Sequence, residues 1–475
     1  MTRVLGVNHS ILRGRSAGVV RQYCAPAIVS LLPYSKEISM SAFNDLGLNA
    51  RLIRNIEKQG YEEPTAIQAS AIPLVLSGDD VMASAQTGTG KTAAFTLPIL
   101  QLLNNSRRPG PKDVHCLVIT PTRELAAQVA DSIRTYSGGL KLNSQMVCGG
   151  VNIRPQIRNL SRGTDILVAT PGRLIDLLGQ NALRLDHVKL WVLDEADRML
   201  DMGFIPAVRQ IQSALPKLRQ TLMFSATFSR PIEALAGEFL HQPKRVSVTP
   251  ANTAVSRISQ KIYPVDKHRK GEMLRHLLRH ETSGQVLVFA RTKYGSDKLA
   301  RQLGKAGVKS DSIHGDKKQS ARTRALQQFK SGQLQVLVAT DIAARGIDIQ
   351  QLPMVVNFEL PHVPEDYVHR IGRTGRAGEE GVAVSLVSAE EVAQLQKIER
   401  LIKQSLPRHE IEGFEPEHRL PTKDVASPGK RRPRNKTKSK THAKPASRNQ
   451  SRQGKPDHKK GPKAKAATQR PRGAQ

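Results

Sequence analysis

From about residue 41 to about residue 420, short apolar runs alternate with amphipathic segments of helical length. The runs are "DVMASA", "HCLVIT", "DILVAT", "LWVLD" and "TLMFSAT", then, after residue 280, "QVLVFA", "LQVLVAT", "MVVNFEL" and "GVAVSLV". A strand with one wet face alternates apolar and polar residues. Runs this continuous in Val, Ile and Leu, separated by helices, belong to parallel strands covered on both faces. Between the two sets lies "VTPANTAVSRISQ", whose small and polar residues read as a linker over residues 249–260. The expected fold class is α/β: two tandem domains, 70–248 and 261–420, each a parallel sheet flanked by helices.

The ends of the chain differ from this body. Residues 421–475 carry 18 Lys and Arg against two acids, half of the net charge of +32, and contain no Leu, Ile, Met or aromatic residue. Such a segment cannot bury enough surface to offset its ordering entropy, so a disordered basic tail is expected. Residues 1–40 carry Arg3, Arg13, Arg15, Arg21 and Lys36 against Glu37 alone. They read as sequence upstream of the true start at Met40, as a disordered arm, or as a targeting segment.

The charge excess points to a polyanion, either nucleic acid or an anionic membrane surface. The longest apolar run, "APAIVSLLPY", is half the roughly 20 residues a membrane-spanning helix needs, which favours nucleic acid over a membrane as the expected partner. Cys24, Cys116 and Cys148 show no metal or disulfide spacing, which fits a reducing, cytoplasmic setting.

Chemistry enters at "ASAQTGTGKTAAF", residues 83–95. A phosphate-binding loop needs inward backbone N–H groups, a lysine for the β- and γ-phosphates, and a hydroxyl for Mg²⁺. Gly88 and Gly90 allow close backbone approach, and Lys91 and Thr92 supply the other two groups. Ala85 stands where the general pattern has glycine, which is tolerable at negative φ. A triphosphatase also needs a carboxylate for its metal and a base for water. "LWVLDEAD" ends a strand run with Asp194, placed to hold Mg²⁺, and Glu195, placed to orient the attacking water and accept its proton. A carboxylate at that end of a strand lies on the ligand edge of an open α/β sheet.

Together, "AQTGTGKT" and "DEAD" resemble the DEAD-box ATP-dependent RNA helicases, and the resemblance covers roughly residues 41–415. "GYEEPTAIQ", ending at Gln68 with Phe43 upstream, is similar to the family's Q motif, here residues 41–69. In the family that glutamine reads adenine. "PTRELA", Gly149–Gly150, "TPGR", "SAT", "VLVFARTK", "ATDIAARGIDI" and "HRIGRTGR" follow in family order. "DEADRMLDMGF" and the basic tail are most similar to the bacterial RhlE-like branch.

The resemblance implies RecA-like domains, ATP with Mg²⁺ as cofactors, and a nucleotide cradle of Ala85, Gln86, Thr87, Gly88, Thr89, Gly90, Lys91 and Thr92, with Asp348 on the ribose. Arg373 and Arg376 would neutralise charge on the γ-phosphate from the second domain, so hydrolysis would require the domains to close. Ser225, Ala226, Thr227, Asp197 and His369 would couple the nucleotide side to the RNA side. Pro121, Thr122, Arg123, Gly149, Gly150, Thr170, Pro171, Gly172 and Arg173 would contact RNA from one domain, and Arg291, Thr292 and Thr340 from the other. Contacts to phosphates and 2′-hydroxyls read backbone shape, not base order.

The activity implied is RNA-stimulated ATP hydrolysis coupled to local unwinding of short duplexes or remodelling of RNA–protein complexes. An ATP-gated RNA clamp with slow hydrolysis would use the same residues, whereas the full DEAD-type motif set stands against a DNA-directed translocase. The expected partners are RNA and, for a monomer of this kind, ribosome-assembly or RNA-decay proteins.

Overall fold

A computed structural model describes residues 42–85, 88–248, 258–281, 284–344, 347, 349, 352–375, 381–418 and 420. The expectations for residues 1–40, for the linker residues 249–257 and for the basic stretch 421–475 lie outside them.

The first domain opens with a 3₁₀ turn, Phe43–Leu46, and two helices, α1 (Ala50–Glu57) and α2 (Ala66–Leu76). Strands and helices then alternate: β1 (Val81–Ser84), α3 (Lys91–Asn104), β2 (Val114–Ile119), α4 (Arg123–Tyr136), β3 (Ser144–Val147), α5 (Ile153–Leu160), β4 (Thr164–Ala169) and α6 (Pro171–Gly179). They continue with β5 (Leu190–Leu193), α7 (Ala196–Asp201), α8 (Ile205–Ser213), β6 (Gln220–Ser225), α9 (Arg230–Phe239) and β7 (Lys244–Ser247). The second domain runs β8 (Ile258–Pro264), α10 (Lys270–His280), β9 (Val286–Phe289), α11 (Lys293–Lys305), β10 (Ser310–Ile313) and α12 (Gln319–Lys330). It ends with β11 (Val336–Ala339), α13 (Asp341–Ala344), β12 (Met354–Asn357), α14 (Pro364–Ile371), β13 (Gly381–Val387) and α15 (Val392–Ile402).

The first sheet has the order β3-β4-β2-β5-β6-β1-β7 and the second β10-β11-β9-β12-β13-β8. Every strand pair is parallel. Successive residues of one strand feed opposite cores. Cys116 and Val118 of β2 face the layer that holds α2, α3 and α4, whereas Leu117 and Ile119 face the layer built on Leu174, Trp191 and Phe239. β9 does the same, with Val286 and Val288 on one side and Leu287 and Phe289 on the other. Full burial of each such side chain stabilises by about 1.5–3 kcal/mol, which is why these runs are mainly apolar.

All nine runs read from the sequence are strands. Four further strands, β3, β7, β8 and β10, carried no such signal, and all four are sheet edges. An edge strand is only half covered, so its composition is mixed: β7 buries one residue of four, Val246. For the same reason β8 begins at Ile258, inside the segment whose polar residues suggested a linker through residue 260.

Parallel strands place all their carboxyl ends along one edge of each sheet, where an open α/β fold carries its ligands. Among the described residues, no helix is long and apolar enough to cross a membrane.

Candidate active site

β1 delivers Ala85, whose N–H donates to the Ser225 carbonyl at the end of β6 (3.2 Å). Ala85 is not among the residues with positive φ, so an L side chain stands there without strain. Gly88 and Gly90 have φ of 84° and 90°, the left-handed conformation that glycine adopts freely. Lys91 opens α3 and is buried, its Nζ donating to the carbonyls of Ala85 (2.6 Å) and Ser225 (3.5 Å). Gln68 braces the loop: its Nε2 donates to the Gly90 carbonyl (3.3 Å) and its Oε1 accepts from the Thr65 N–H (2.9 Å). Phe43 is buried in the core of the first domain, and Tyr61 stands at the cavity wall instead. Gln86, Thr87, Asp348 and Arg376 lie outside the described residues.

The carboxylates follow β5. Asp194 is buried, and its pKa is pushed up to about 7 by that burial and by the neighbouring Glu195, against the opposing pull of Lys91. Glu195 stands at the N-cap of α7 with φ 55° and ψ 53°. A non-glycine residue held there costs on the order of 1–3 kcal/mol and persists only where its surroundings enforce it. Here its carbonyl accepts the N–H groups of Arg198 (3.0 Å) and Met199 (3.1 Å). Its Oε2 is buried with no hydrogen-bond partner. Asp197 accepts the Ala226 N–H (3.1 Å), Ser84 Oγ donates to the Ala226 carbonyl (3.2 Å), and Ser225 Oγ accepts the Thr227 N–H (3.3 Å). The ends of β1, β5 and β6 are thus tied to one another.

These groups surround a cavity of about 290 Å³. Gln68, Gly90, Lys91, Thr92, Asp194 and Glu195 line it from the first domain, and Ile347 and Arg373 from the second. Arg373 is buried and donates to the Ile347 carbonyl (2.6 Å). Beside it a buried ion pair, Arg198–Asp366 (3.1 Å), joins α7 to α14, and His369 Nδ1 lies 3.8 Å from the same Asp366 carboxylate.

A second cleft, of about 500 Å³, has Pro121–Arg123, Gly149 and Thr170–Arg173 on one wall and Gly315, Arg322 and Ile342 on the other. Thr122 caps α4, accepting the Leu125 N–H (3.2 Å). The Arg123 guanidinium lies over Gly149–Gly150, and any side chain at Gly150 (φ 76°) would displace it. Arg173 donates to the Val151 carbonyl (3.0 Å). Arg291, Thr292 and Thr340 do not line this cleft. Thr292 caps α11, accepting the Gly295 N–H (2.9 Å), Thr340 is buried at the start of α13, and Arg291 is bonded within its own domain.

The sequence reading missed what spans that cleft. Glu124 and Arg322 form a buried ion pair (2.8 Å), and Gln319 bonds both Glu124 (2.9 Å) and Arg123 (3.1 Å). Removing one partner of such a pair strands a buried charge, at a cost of about 3–5 kcal/mol. The available signal was Gln319 and Arg322, three residues apart on one face of the first turn of α12.

Among the described residues no cluster of three or more His, Cys, Asp or Glu could hold a metal by itself. Mg²⁺ characteristically takes one or two carboxylates and completes its shell with phosphates and water. Buried Asp194 and the Thr92 hydroxyl on one wall fit that demand, leaving the unpartnered Glu195 Oε2 for the attacking water.

Two family models match the chain: DEAD/DEAH box helicase over residues 65–235 and helicase conserved C-terminal domain over residues 269–378. The DEAD-box ATP-dependent RNA helicase CshA of Geobacillus kaustophilus is 44% identical over 369 residues, covering 78% of this chain and 78% of its own length. CshA of Bacillus subtilis is 43% identical over 366 residues, covering 77% and 73%. S. cerevisiae Dbp5, solved bound to RNA and ADP BeF3, superposes with a TM-score of 0.70 at 32% identity, covering 78% of this chain and 95% of that one.

Proposed function

The chain belongs to the DEAD-box ATP-dependent RNA helicases, and from that membership we propose that it hydrolyses ATP in the 290 Å³ cavity and couples the reaction to RNA. The observation that carries the reading is the shared wall: Arg373 of the second domain faces the same cavity as Lys91, Asp194 and Glu195 of the first.

In this mechanism the Lys91 ammonium leaves its two carbonyl partners for the β- and γ-phosphates. Gln68 belongs to the adenine end, with Tyr61 on the wall there in place of the core-buried Phe43, and Asp348 to the ribose. Asp194 and Thr92 would hold Mg²⁺. When bound there, Mg²⁺ neutralises phosphate charge that would otherwise resist nucleophilic attack. Glu195 orients the attacking water and takes its proton. Arg373, with Arg376, balances the charge that develops on the γ-phosphoryl oxygens.

Because the arginines come from the other domain, turnover requires closure, and RNA favours closure by touching both domains. Thr122, Arg123, Thr170, Arg173, Arg291, Thr292 and Thr340 contact phosphates and ribose hydroxyls. The closed surface fits a bent single strand, so binding it separates a few base pairs, and hydrolysis releases it. The Asp197–Ala226 bond supports a coupling role for Ser225–Thr227, since it ties the carboxylate strand to the strand beneath the loop.

The reading is tested by ATP turnover and duplex separation, with single-stranded RNA, its 2′-deoxy counterpart and no polynucleotide. RNA is expected to raise turnover at least tenfold and DNA far less, the 2′-hydroxyl being what distinguishes them. Equal turnover in all three arms overturns the proposal, and hydrolysis with no strand separated would mark a clamp.

Residues 421–475 supply non-specific capture. Each phosphate neutralised on a single strand adds about 0.7 to the slope of log affinity against log salt. Deleting them is expected to weaken RNA binding and flatten that slope while leaving ATP binding unchanged, measured by fluorescence anisotropy across salt concentrations. The RhlE-like branch, a cytoplasmic monomer and partners in ribosome assembly or RNA decay complete the proposal, on the strength of "DEADRMLDMGF" and the basic tail.

A further inference from the structure

Without β7, the two sheets have one connection order, which makes β8, α10, β9, β12 and β13 the counterparts of β1, α3, β2, β5 and β6. The correspondence reaches single residues. Lys270 opens α10 as Lys91 opens α3, and Thr292 caps α11 as Thr122 caps α4. Lys91 Nζ donates to the Ser225 carbonyl at the end of β6, and Lys270 Nζ donates to the Leu386 carbonyl near the end of β13 (2.7 Å). The nucleotide cavity therefore has a counterpart in the second domain, beside a cavity of about 580 Å³ at the carboxyl ends of β9, β12 and β13.

That counterpart lacks the parts for hydrolysis. No glycine lies between β8 and α10, and Phe358–Glu359 stand where the first domain has Asp194–Glu195. Instead it holds a carboxylate. Glu391 is buried, its Oε1 accepting from Arg291 Nη2 (2.9 Å) and the Leu360 N–H (3.0 Å). Its Oε2 accepts from Lys270 Nζ, the Ser388 N–H (3.2 Å) and Ser388 Oγ (3.3 Å). Two cations and two backbone N–H groups converging on one buried anion form the environment a protein builds for phosphate.

We propose that the Glu391 carboxylate is a built-in substitute for a phosphate, filling the second domain's counterpart of the nucleotide cavity and, by filling it, holding Arg291 at the RNA surface. Lys270 and Glu391 are then positioning residues, acting through Arg291. The second half rests on Arg291 contacting RNA, as the proposed function has it.

The first test is thermal unfolding of the full chain against inorganic phosphate, for the wild type, Glu391→Ala and Glu391→Ala/Lys270→Met. Phosphate reaches the Lys91 site in all three, so the difference between them is the signal. Glu391→Ala is expected to unfold at a lower temperature without phosphate and to gain several degrees more from it than the wild type, a surplus that disappears in the double variant. Equal gains in all three, or an adventitious ion effect that survives Lys270→Met, overturn the substitution.

The second test uses Glu391→Gln, which keeps the shape of the side chain and so also answers if the alanine variant does not fold. The RNA concentration for half-maximal ATPase is expected to rise roughly three- to tenfold, the scale of one hydrogen bond, with saturated kcat and the KM for ATP unchanged. Arg291→Ala should raise that RNA concentration at least as much, and the double variant no further than Arg291→Ala, because residues in one network do not add. An unchanged RNA requirement in Glu391→Gln, with a raised one in Arg291→Ala, overturns the positioning role. If Arg291→Ala itself leaves the RNA requirement alone, the reading of Arg291 as an RNA contact fails, and the phosphate comparison decides the rest.

Discussion

Arg373→Ala is expected to lower RNA-stimulated ATP turnover by about 10³- to 10⁵-fold, the range over which an arginine that balances γ-phosphoryl charge acts. Arg373 faces the cavity from the opposite domain to the phosphate loop, so its loss removes charge compensation without touching Gly88, Gly90 or Lys91. ATP affinity in the absence of RNA should therefore change little. Arg373 also donates to the Ile347 carbonyl, so alanine removes that bond as well. Arg373→Lys separates the two effects, because lysine keeps the charge and one donor but not the planar fork. Turnover in the lysine variant should stay far below wild type, with thermal stability restored. Phosphate release at saturating ATP and RNA is the measurement. A loss of less than tenfold would transfer the role to Arg376.

Glu195→Gln is the second large effect. A positioned general base contributes about 10² to 10⁴ in rate, and the amide keeps the shape while losing the proton acceptor. The variant should bind ATP and RNA, stall before hydrolysis, and hold RNA longer than the wild type, as measured by single-turnover kinetics and RNA dissociation. Glu195 also sits at φ 55° with a buried oxygen lacking a partner, two costs borne by the resting fold. Glu195→Gly relieves both, so it should melt at a higher temperature than the wild type while losing turnover to the same degree. That pairing of lost activity with gained stability marks a site held against its own preference. A glycine variant that melts lower would place the strain elsewhere.

The sequence was most legible where burial is complete. Nine strands announced themselves because each is covered on both faces and is therefore mainly apolar, as the Cys116–Ile119 stretch of "HCLVIT" and the Val336–Ala339 stretch of "LQVLVAT" are. The four edge strands stayed silent because one side of each meets solvent or loop, and β8, with buried and exposed residues in turn, looked like linker. The chemistry of the first domain was legible for a related reason. A phosphate loop is local: Gly88, Gly90, Lys91 and Thr92 must follow one strand and open one helix, so their spacing carries their geometry.

The amino-acid order alone thus determined two parallel α/β domains, the phosphate loop, the Asp194–Glu195 pair at a strand end, and the family. Only the tertiary structure decided which other distant groups meet: Glu124 with Arg322 and Gln319, Arg198 with Asp366, and Lys270 and Arg291 around Glu391. The physical reason is that periodicity and motif spacing report what one segment does within a few turns of chain, over 10 to 20 residues or so. A buried charge pair between segments about 200 residues apart leaves each half looking like an ordinary surface Glu or Arg, because the partner that makes its burial affordable is specified elsewhere in the chain.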